Sequence, residues 1–288
     1  MVGTLFQNVR DKKPLVHNIT NYVTVNDCAN ITLAIGASPI MADDIDEVED
    51  IVSICNGLNI NIGTLNKRTI ESMIAAGKKA NELNKPVILD PVGAGASKLR
   101  TETAQRLLKE VKFSVIRGNI SEIKTLAGLN AETRGVDADI DDIVTDENVA
   151  QVAEFCKTFA RETGAIIVVT GAIDIICDGE KAYAVKNGRS EMSSITGTGC
   201  QLSSMLGAFI SANTDNVLGA ALSAVCTIGL AGEIAYERIT KPDGNSSYRN
   251  YIIDAVYNMS AEKLDKGAKY TEIWIIETEI YRFKLYNL

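Results

Sequence analysis

Histidine is nearly absent from this chain, which has a single one, His17, among 288 residues. Six cysteines are present, but none forms a CxxC or CxxH pair, so we expect no zinc site with histidine ligands. Scattered thiols of this kind are typical of a reducing cytosol. The first residues also lack a basic start followed by an apolar run, so we expect no signal peptide and a cytoplasmic location.

Clustered positive charge is missing as well. The formal net charge is -8 and the pI is near 4.9. Because binding to a phosphate backbone needs clustered lysine and arginine, we expect small molecules as partners and no nucleic acid. The longest apolar stretch, residues 217–232, is shorter than the roughly 20 residues that cross a bilayer, so we interpret it as a buried core helix with no membrane partner.

The order of apolar segments predicts an α/β fold. Short runs rich in valine and isoleucine alternate with segments of helical period, as expected when parallel strands are joined by crossover helices. No linker or repeat interrupts the chain, which favours a single domain over residues 1–288. The predicted strands are 58–62, 86–89, 113–116 and 165–169; the predicted helices are 69–83, 102–111, 121–127, 147–163, 200–212 and 216–238; and residues 173–185 are predicted to form a hairpin around Asp178-Gly179.

Polar residues collect where the predicted strands end. In an open α/β sheet, ligands bind in the crevice at the carboxyl ends of the strands. We therefore expect four loops to converge on one site: Gly63-Thr64, Asp90, residues 117–119 and Thr170-Gly171.

The sharpest local signal is the turn Thr-Gly-Thr-Gly-Cys at residues 196–200, which opens directly into an apolar helix. Free N–H groups and the positive end of a helix favour an anion there, and phosphate is the ligand that we expect. A thiol in that position is expected to have a lowered pKa, which would suit Cys200 as a proton acceptor. A simple helix cap with a buried cysteine explains the pentapeptide equally well. The turn matches neither GxxxxGK[ST] nor GxGxxG.

Two carboxylates and one arginine stand near predicted strand ends. Asp90 precedes a flexible Pro-Val-Gly-Ala-Gly loop and Glu122 follows Arg117 by five residues, so the carboxylates are candidate magnesium ligands and the arginine a candidate phosphate clamp. Taken alone, Asp90 is more simply explained as a helix or turn cap, and Ser121 with Lys124 as the start of a surface helix. A base, an anion site, a cation and two carboxylates at one sheet edge are what phosphoryl transfer requires.

Other features carry weaker hypotheses. Asp137, Asp139 and Asp141 resemble the start of a calcium loop, but a solvated acidic loop is the better interpretation because Asp142 and Asn148 occupy the expected glycine and glutamate positions. His17 is interpreted as structural. The aromatic tail 270–288, which contains Trp274, is explained either as a partner surface or as edge packing.

Together these motifs resemble the ribokinase-like superfamily, with Gly-Thr-Gly-Cys in place of its usual GxGD. Cysteine at that position occurs in several vitamin kinases of the superfamily, so the pentapeptide does not distinguish among them. The distinguishing segments are PLVHNITNYV at residues 14–23, NDCAN at 26–30 and ASPIMA at 37–42, followed by INIGTL at 60–65, PVILDPVGA at 86–94 and NISEI at 119–123. These segments resemble the hydroxyethylthiazole kinases. Two segments depart from the family: Asp-Gly-Asn-Ser-Ser-Tyr-Arg at 243–249 and the extension after about Lys266.

The resemblance implies a three-layer α/β/α fold around a mostly parallel sheet, phosphorylation of the thiazole alcohol with ATP and Mg2+ in thiamine biosynthesis or salvage, and a homotrimer with sites at the subunit interfaces. It also implies a role for each matching residue. Asn21, Val23, Met41 and Gly197 would contact the substrate, Arg117 and Thr170 would contact ATP, Asp90 and Glu122 would hold magnesium, and Cys200 would lie by the attacking hydroxyl.

Three alternatives stay open on the sequence alone. The chain is also compatible with a kinase for hydroxymethylpyrimidine or another vitamin alcohol, and with a non-catalytic thiazole-binding protein. A hydrolase with Cys200 as nucleophile is the third, and it predicts covalent labelling without magnesium.

Overall fold

The computed structural model describes residues 2–128 and 143–273. The acidic segment Asp137–Asp141 and the tail from Trp274 onward lie outside the described residues, so the hypotheses on them stay predictions. All six cysteines are buried free thiols.

One nine-stranded sheet runs through the described chain, in the order β2-β1-β3-β4-β5-β6-β7-β8-β9. The strands from β2 to β6 pair in parallel, and β7, β8 and β9 pair antiparallel at one edge. The sheet is therefore mostly parallel, as predicted. The strands are β1 (Leu15–Ile19), β2 (Ser38–Ile40), β3 (Gly57–Asn61), β4 (Val87–Asp90), β5 (Val115–Asn119), β6 (Ile166–Thr170), β7 (Asp174–Cys177), β8 (Ala182–Val185) and β9 (Tyr270–Glu272).

Helices cover both faces of the sheet. One apolar core joins the sheet to α3–α7 and a second joins it to α1, α2 and α8–α11, which gives the three layers of an α/β/α fold. The helices are α1 (Val2–Lys12), α2 (Val25–Ala34), α3 (Val48–Ile54), α4 (Lys67–Glu82), α5 (Lys98–Glu110), α6 (Ile120–Gly128), α7 (Val149–Thr163), α8 (Thr198–Ala212), α9 (Val217–Tyr236), α10 (Asn245–Tyr257) and α11 (Ala261–Gly267).

The strands and helices predicted from the sequence are all present, with ends shifted by a few residues. The hairpin is also confirmed, and its turn is held by Asp178 Oδ1, which accepts hydrogen bonds from the backbone N–H groups of Glu180 (2.7 Å) and Lys181 (2.6 Å). Two parts of the chain were not predicted: residues 2–54, which supply β1, β2 and α1–α3, and the C-terminal elements α10, α11 and β9. Because β9 pairs with β8, the start of the C-terminal extension forms the edge of the sheet.

Helix α9 corrects one step of the sequence argument. It has 20 residues and, by length and composition, is long and apolar enough to cross a membrane. However, 72% of its apolar stretch is buried inside the fold. The conclusion of a buried core helix is confirmed, although the length argument for it is wrong.

Candidate active site

The carboxyl ends of four central strands meet at one edge of the sheet. Asn61, the last residue of β3, pairs with Asp90, the last of β4; Asn119 of β5 pairs likewise with Thr170 of β6. Helix α8 begins against this edge, since Cys200 contacts the side chain of Asn61 and Ser203 contacts that of Asp90. The predicted convergence is therefore confirmed.

Arg117 links the sheet edge to the start of α8. Its Nη2 donates a 2.6 Å hydrogen bond to Thr170 Oγ1, and its Nη1 lies 3.5 Å from Asp90 Oδ1. The guanidinium rests on Gly199, where any Cβ would collide with it. A cation therefore stands beside the free N–H groups of a helix N-terminus, which is a favourable arrangement for a phosphate.

Asp90 is fully buried and held by three polar side chains. Its Oδ2 accepts hydrogen bonds of 2.8 Å from Asn61 Nδ2 and from Ser203 Oγ, while Oδ1 faces Arg117. Burial raises the pKa of Asp90, and these three neighbours act in the opposite direction. The carboxylate is thus fixed in orientation by its partners.

Cys200 lies in the first turn of α8, between two amides. Asn21 Nδ2 and Asn61 Nδ2 each donate to its Sγ at 3.2 Å, and only 8% of the residue is exposed. Burial raises the pKa of Cys200, and the nearby negative charge of Asp90 raises it further. The prediction of a lowered pKa was therefore wrong, because desolvation and a carboxylate outweigh the field of the helix.

Glu122 accepts hydrogen bonds from two backbone amides, one in the loop after β4 and one at the end of β5. Its Oε1 accepts from Gly93 N and its Oε2 from Asn119 N, both at 2.8 Å. Asn119 Oδ1 accepts from Glu122 N at 2.8 Å, so the pair caps α6 reciprocally. The alternative that this segment begins a helix is therefore correct, and the same contacts fix the Glu122 carboxylate beside the loop that follows Asp90.

Asp90 and Glu122 are compatible with a magnesium ion that keeps part of its water shell. Within residues 2–128 and 143–273, no group of three or more His, Cys, Asp or Glu side chains is arranged to hold a metal. Mg2+ does not need such a cage, because it keeps several waters and binds through one or two carboxylates together with substrate phosphates. Asp90 and Glu122 are near enough for the charge of Glu122 to raise the pKa of Asp90.

Of the residues expected to contact substrate, Asn21 contacts Cys200 directly and Gly197 is the cap residue just before α8. Asn21 is buried and Gly197, at φ +86°, packs against Thr24, which leaves no room for a Cβ. Val23 is 61% exposed and Met41, just after β2, is partly buried. The structure thus brings Asn21 to Cys200 and leaves the side chain of Val23 largely uncovered in the single chain.

A cavity of about 540 Å³ opens on the other side of Arg117, toward β7 and α9. It is lined by Arg117, Thr170, Asp174, Thr198, Gly199 and Ile228 among others. Asp174 Oδ1 accepts from Gly171 N at 2.9 Å. Burial raises the pKa of Asp174 to about 7 despite that hydrogen bond and the charge of Arg117.

Sequence reasoning missed Asn61, Ser203 and Asp174 as members of the site. A usable signal existed for Asn61: in β3 the asparagines Asn59 and Asn61 alternate with Leu58 and Ile60, so both amides fall on one face of the strand. Asn59 Nδ2 indeed donates to Asn18 Oδ1 at 3.0 Å.

Solved structures share this architecture. The pyridoxal kinase from Staphylococcus aureus, in complex with AMP-PCP, matches with a TM-score of 0.59 and 16% identity over 91% of this chain and 99% of its own. At this identity the likeness shows the fold alone. The fold and the curated relatives together define a kinase of the ribokinase-like type.

The sequence comparisons are more specific. Residues 6–262 match the hydroxyethylthiazole kinase family. The hydroxyethylthiazole kinase of Clostridium acetobutylicum is 64% identical over 270 residues, which is 94% of this chain and 99% of the relative, and that of Clostridium beijerinckii is 54% identical over 94% and 97%. A solved structure of the Pyrococcus horikoshii hydroxyethylthiazole kinase protein matches with a TM-score of 0.84 and 36% identity over 95% of this chain and 99% of its own. This chain belongs to the hydroxyethylthiazole kinase family.

Proposed function

We propose that this protein transfers the γ-phosphate of ATP to the hydroxyethyl alcohol of 4-methyl-5-(2-hydroxyethyl)thiazole, for thiamine biosynthesis or salvage. The observation that carries the proposal is the position of Arg117, which spans the start of α8, Asp90 and Thr170, in a chain that belongs to this family. Phosphoryl transfer is mainly a matter of positioning and of neutralising oxygen charge, and this arrangement offers both.

ATP is proposed to occupy the 540 Å³ cavity, with its phosphates toward α8. Arg117 and Thr198 border the phosphate end, and Ile228 offers apolar surface at the far end. Thr170, whose hydroxyl accepts from Arg117, would help to hold the guanidinium in place for the phosphate oxygens. Arg117 and Thr170 are thus the proposed ATP contacts.

The alcohol is proposed to bind beside Asn21 and Gly197, next to Cys200. Val23 and Met41 would supply apolar contacts, which suits a neutral heteroaromatic ring better than a sugar. Because the pKa of Cys200 is raised, its thiol stays protonated at neutral pH and little thiolate is present to accept the hydroxyl proton. Since the transition state is loose, a weak base is sufficient, and the two amides on Sγ fix the position of the sulfur.

Magnesium is proposed to bind between Asp90, Glu122 and the ATP phosphates. When bound, the ion supplies positive charge that neutralises the phosphate oxygens. The residues of the chain orient its two carboxylates: Asn61 and Ser203 fix Asp90, and two backbone amides fix Glu122.

We further propose a cytoplasmic homotrimer of single-domain chains, with each site completed at a subunit interface. Tyr22 and Val23 are 76% and 61% exposed directly beside buried Asn21. Apolar side chains uncovered next to a candidate site support burial by a second copy. Sedimentation analysis of the purified protein tests the trimer, and a monomer at micromolar concentration would refute it.

The test of the function is ADP release from ATP and magnesium with hydroxyethylthiazole, hydroxymethylpyrimidine, pyridoxal or no alcohol. Turnover that depends on the thiazole supports the proposal. Turnover with only another alcohol would assign a different vitamin kinase, and tight thiazole binding without turnover would assign a binding protein. Covalent labelling of Cys200 by an acyl substrate without magnesium would assign a hydrolase.

A further inference from the structure

Arg100 lies at an unfavourable place for a cation. It is the third residue of α5, after the cap Ser97, where the positive end of the helix dipole opposes positive charge. Among the residues that the structure describes, no carboxylate forms an ion pair with it within 4 Å. The position therefore needs another explanation than helix stability.

The guanidinium of Arg100 joins the loops that follow two neighbouring strands. Its Nη2 donates to the carbonyl of Gly63, after β3, at 2.6 Å, and its Nη1 donates to the carbonyl of Val92, after β4, at 3.1 Å. It also lies flat against Gly93, at φ +72°, where a Cβ would collide with Nη1. One planar, two-pronged cation thus fixes the spacing of both loops.

A backbone amide of each loop donates a hydrogen bond to a side chain of the candidate active site. Gly63 N donates to Asn61 Oδ1 at 2.9 Å, and the same amide donates from Nδ2 to Cys200 and Asp90. On the other loop, Gly93 N donates to Glu122. Arg100 is therefore connected through backbone to both carboxylates without touching either.

The geometry points to Arg100 as a positioning residue that holds the ends of β3 and β4 so that Asn61 and Glu122 keep their places in the site. Its effect on turnover rests on the proposed kinase function, whereas its effect on the loops does not. Its guanidinium hydrogen bonds are to Gly63 and Val92 and not to Arg117 or Thr170, the proposed ATP contacts, so we expect it to act on the chemical step more than on ATP binding.

The test compares Arg100→Gln, Arg100→Lys and a matched control, Arg106→Gln. Arg106 lies on the same helix and pairs with Glu71 and Glu110 on the surface, outside the site. We expect Arg100→Gln to lower kcat roughly 10- to 100-fold and to change the KM for ATP by less than about 3-fold, as displacement of reacting groups does. Arg100→Lys should recover part of kcat, and methylguanidinium in solution should partly rescue Arg100→Gln, while Arg106→Gln stays near the wild type.

A second measurement does not need activity. We expect amide hydrogen exchange at Gly63 and Gly93 to become at least about 10-fold faster in Arg100→Gln and to stay unchanged in Arg106→Gln. Unchanged exchange at both amides, or equal loss of kcat in the two glutamine variants, would overturn the proposal. Faster exchange in a protein that phosphorylates no alcohol would support the positioning role of Arg100 and refute only the proposed function.

Discussion

The hydroxyl of Ser203 donates a 2.8 Å hydrogen bond to Oδ2 of Asp90, from the second turn of α8 to the end of β4. Removing it with Ser203→Ala leaves the buried carboxylate with fewer donors. We expect a loss of about 1–3 kcal/mol in the free energy of unfolding, the usual range for a hydrogen bond to a buried charged group. The loss is measured by urea denaturation, together with a fall in kcat.

Ser204→Ala is the matched control for this change. Ser204 is the next residue and equally buried, but its hydroxyl donates to Asn18 Oδ1 at 2.9 Å. We expect it to affect stability and to leave kcat nearly unchanged. Equal falls in kcat in both variants would refute a specific role for Ser203 at Asp90.

Replacement of the candidate base is expected to matter less than replacement of the carboxylates. Cys200→Ala removes a thiol that its raised pKa already keeps protonated at neutral pH, so we expect measurable activity, within roughly 10-fold to 100-fold of the wild type. Asp90→Ala and Glu122→Ala should lower kcat further, because each also releases the groups that its carboxylate holds. Steady-state kinetics at saturating ATP and magnesium rank the three.

Cys226→Ala provides the control for loss of a buried thiol, since Cys226 lies in α9 and its replacement should not change kcat. An inactive Cys200→Ala protein with nearly normal carboxylate variants would reverse the ranking and assign the thiol a larger share of catalysis.

Gly197 is expected to tolerate no side chain. Its φ of +86° disfavours other residues, and a Cβ would collide with Thr24 Cγ2. Gly197→Ala should therefore raise the KM for the alcohol and lower stability by about 1–3 kcal/mol. Adding Thr24→Ser removes the colliding methyl group and keeps the hydroxyl, so the double variant should recover part of both losses. Gly244→Ala, with nothing within 4 Å of the new Cβ, is the control; it should leave the KM for the alcohol unchanged and cost less than about 1 kcal/mol, since Gly244 is only the N-cap of α10.

Asp174 should make stability depend on pH. Burial raises its pKa to about 7 in the folded chain, above the usual value near 4 of an unfolded one. The folded state therefore binds the proton more tightly, so this contribution is complete below about pH 4 and is lost as the pH rises through about 7. The charge of Arg117 favours the ionised form of Asp174, and the charge of ionised Asp174 in turn raises the pKa of the neighbouring Cys226 thiol.

Asp174→Asn removes this titration. Relative to the wild type, we expect the variant to gain about 1–3 kcal/mol between pH 5 and pH 8, measured as unfolding free energy at both values. Parallel pH curves for the two proteins would show that Asp174 titrates at its ordinary value.

The sequence was informative where local pattern and tertiary position agree. Of the inner strands, β4 and β6 are apolar up to their last residue because both faces are covered, and the polar residues that end β3, β4, β5 and β6 indicated the site. β1 contains His17 and Asn18 and β2 has only three residues with Pro39 at the sheet edge, so neither has a strand pattern. Their place is decided by packing against distant parts of the chain. The error on Cys200 has the same origin, since the burial and the carboxylate that raise its pKa come from residues far away in sequence.

Asn21 and Cys200 touch although 179 residues separate them. At a synthesis rate of roughly 5–20 residues per second, the ribosome adds the second partner about 10–35 s after the first. The buried amide of Asn21 lacks the sulfur that it contacts throughout that interval, so this part of the candidate site can form only after most of the sheet has been made. A nascent chain stalled before α8 would present the strand ends as an open, incomplete edge.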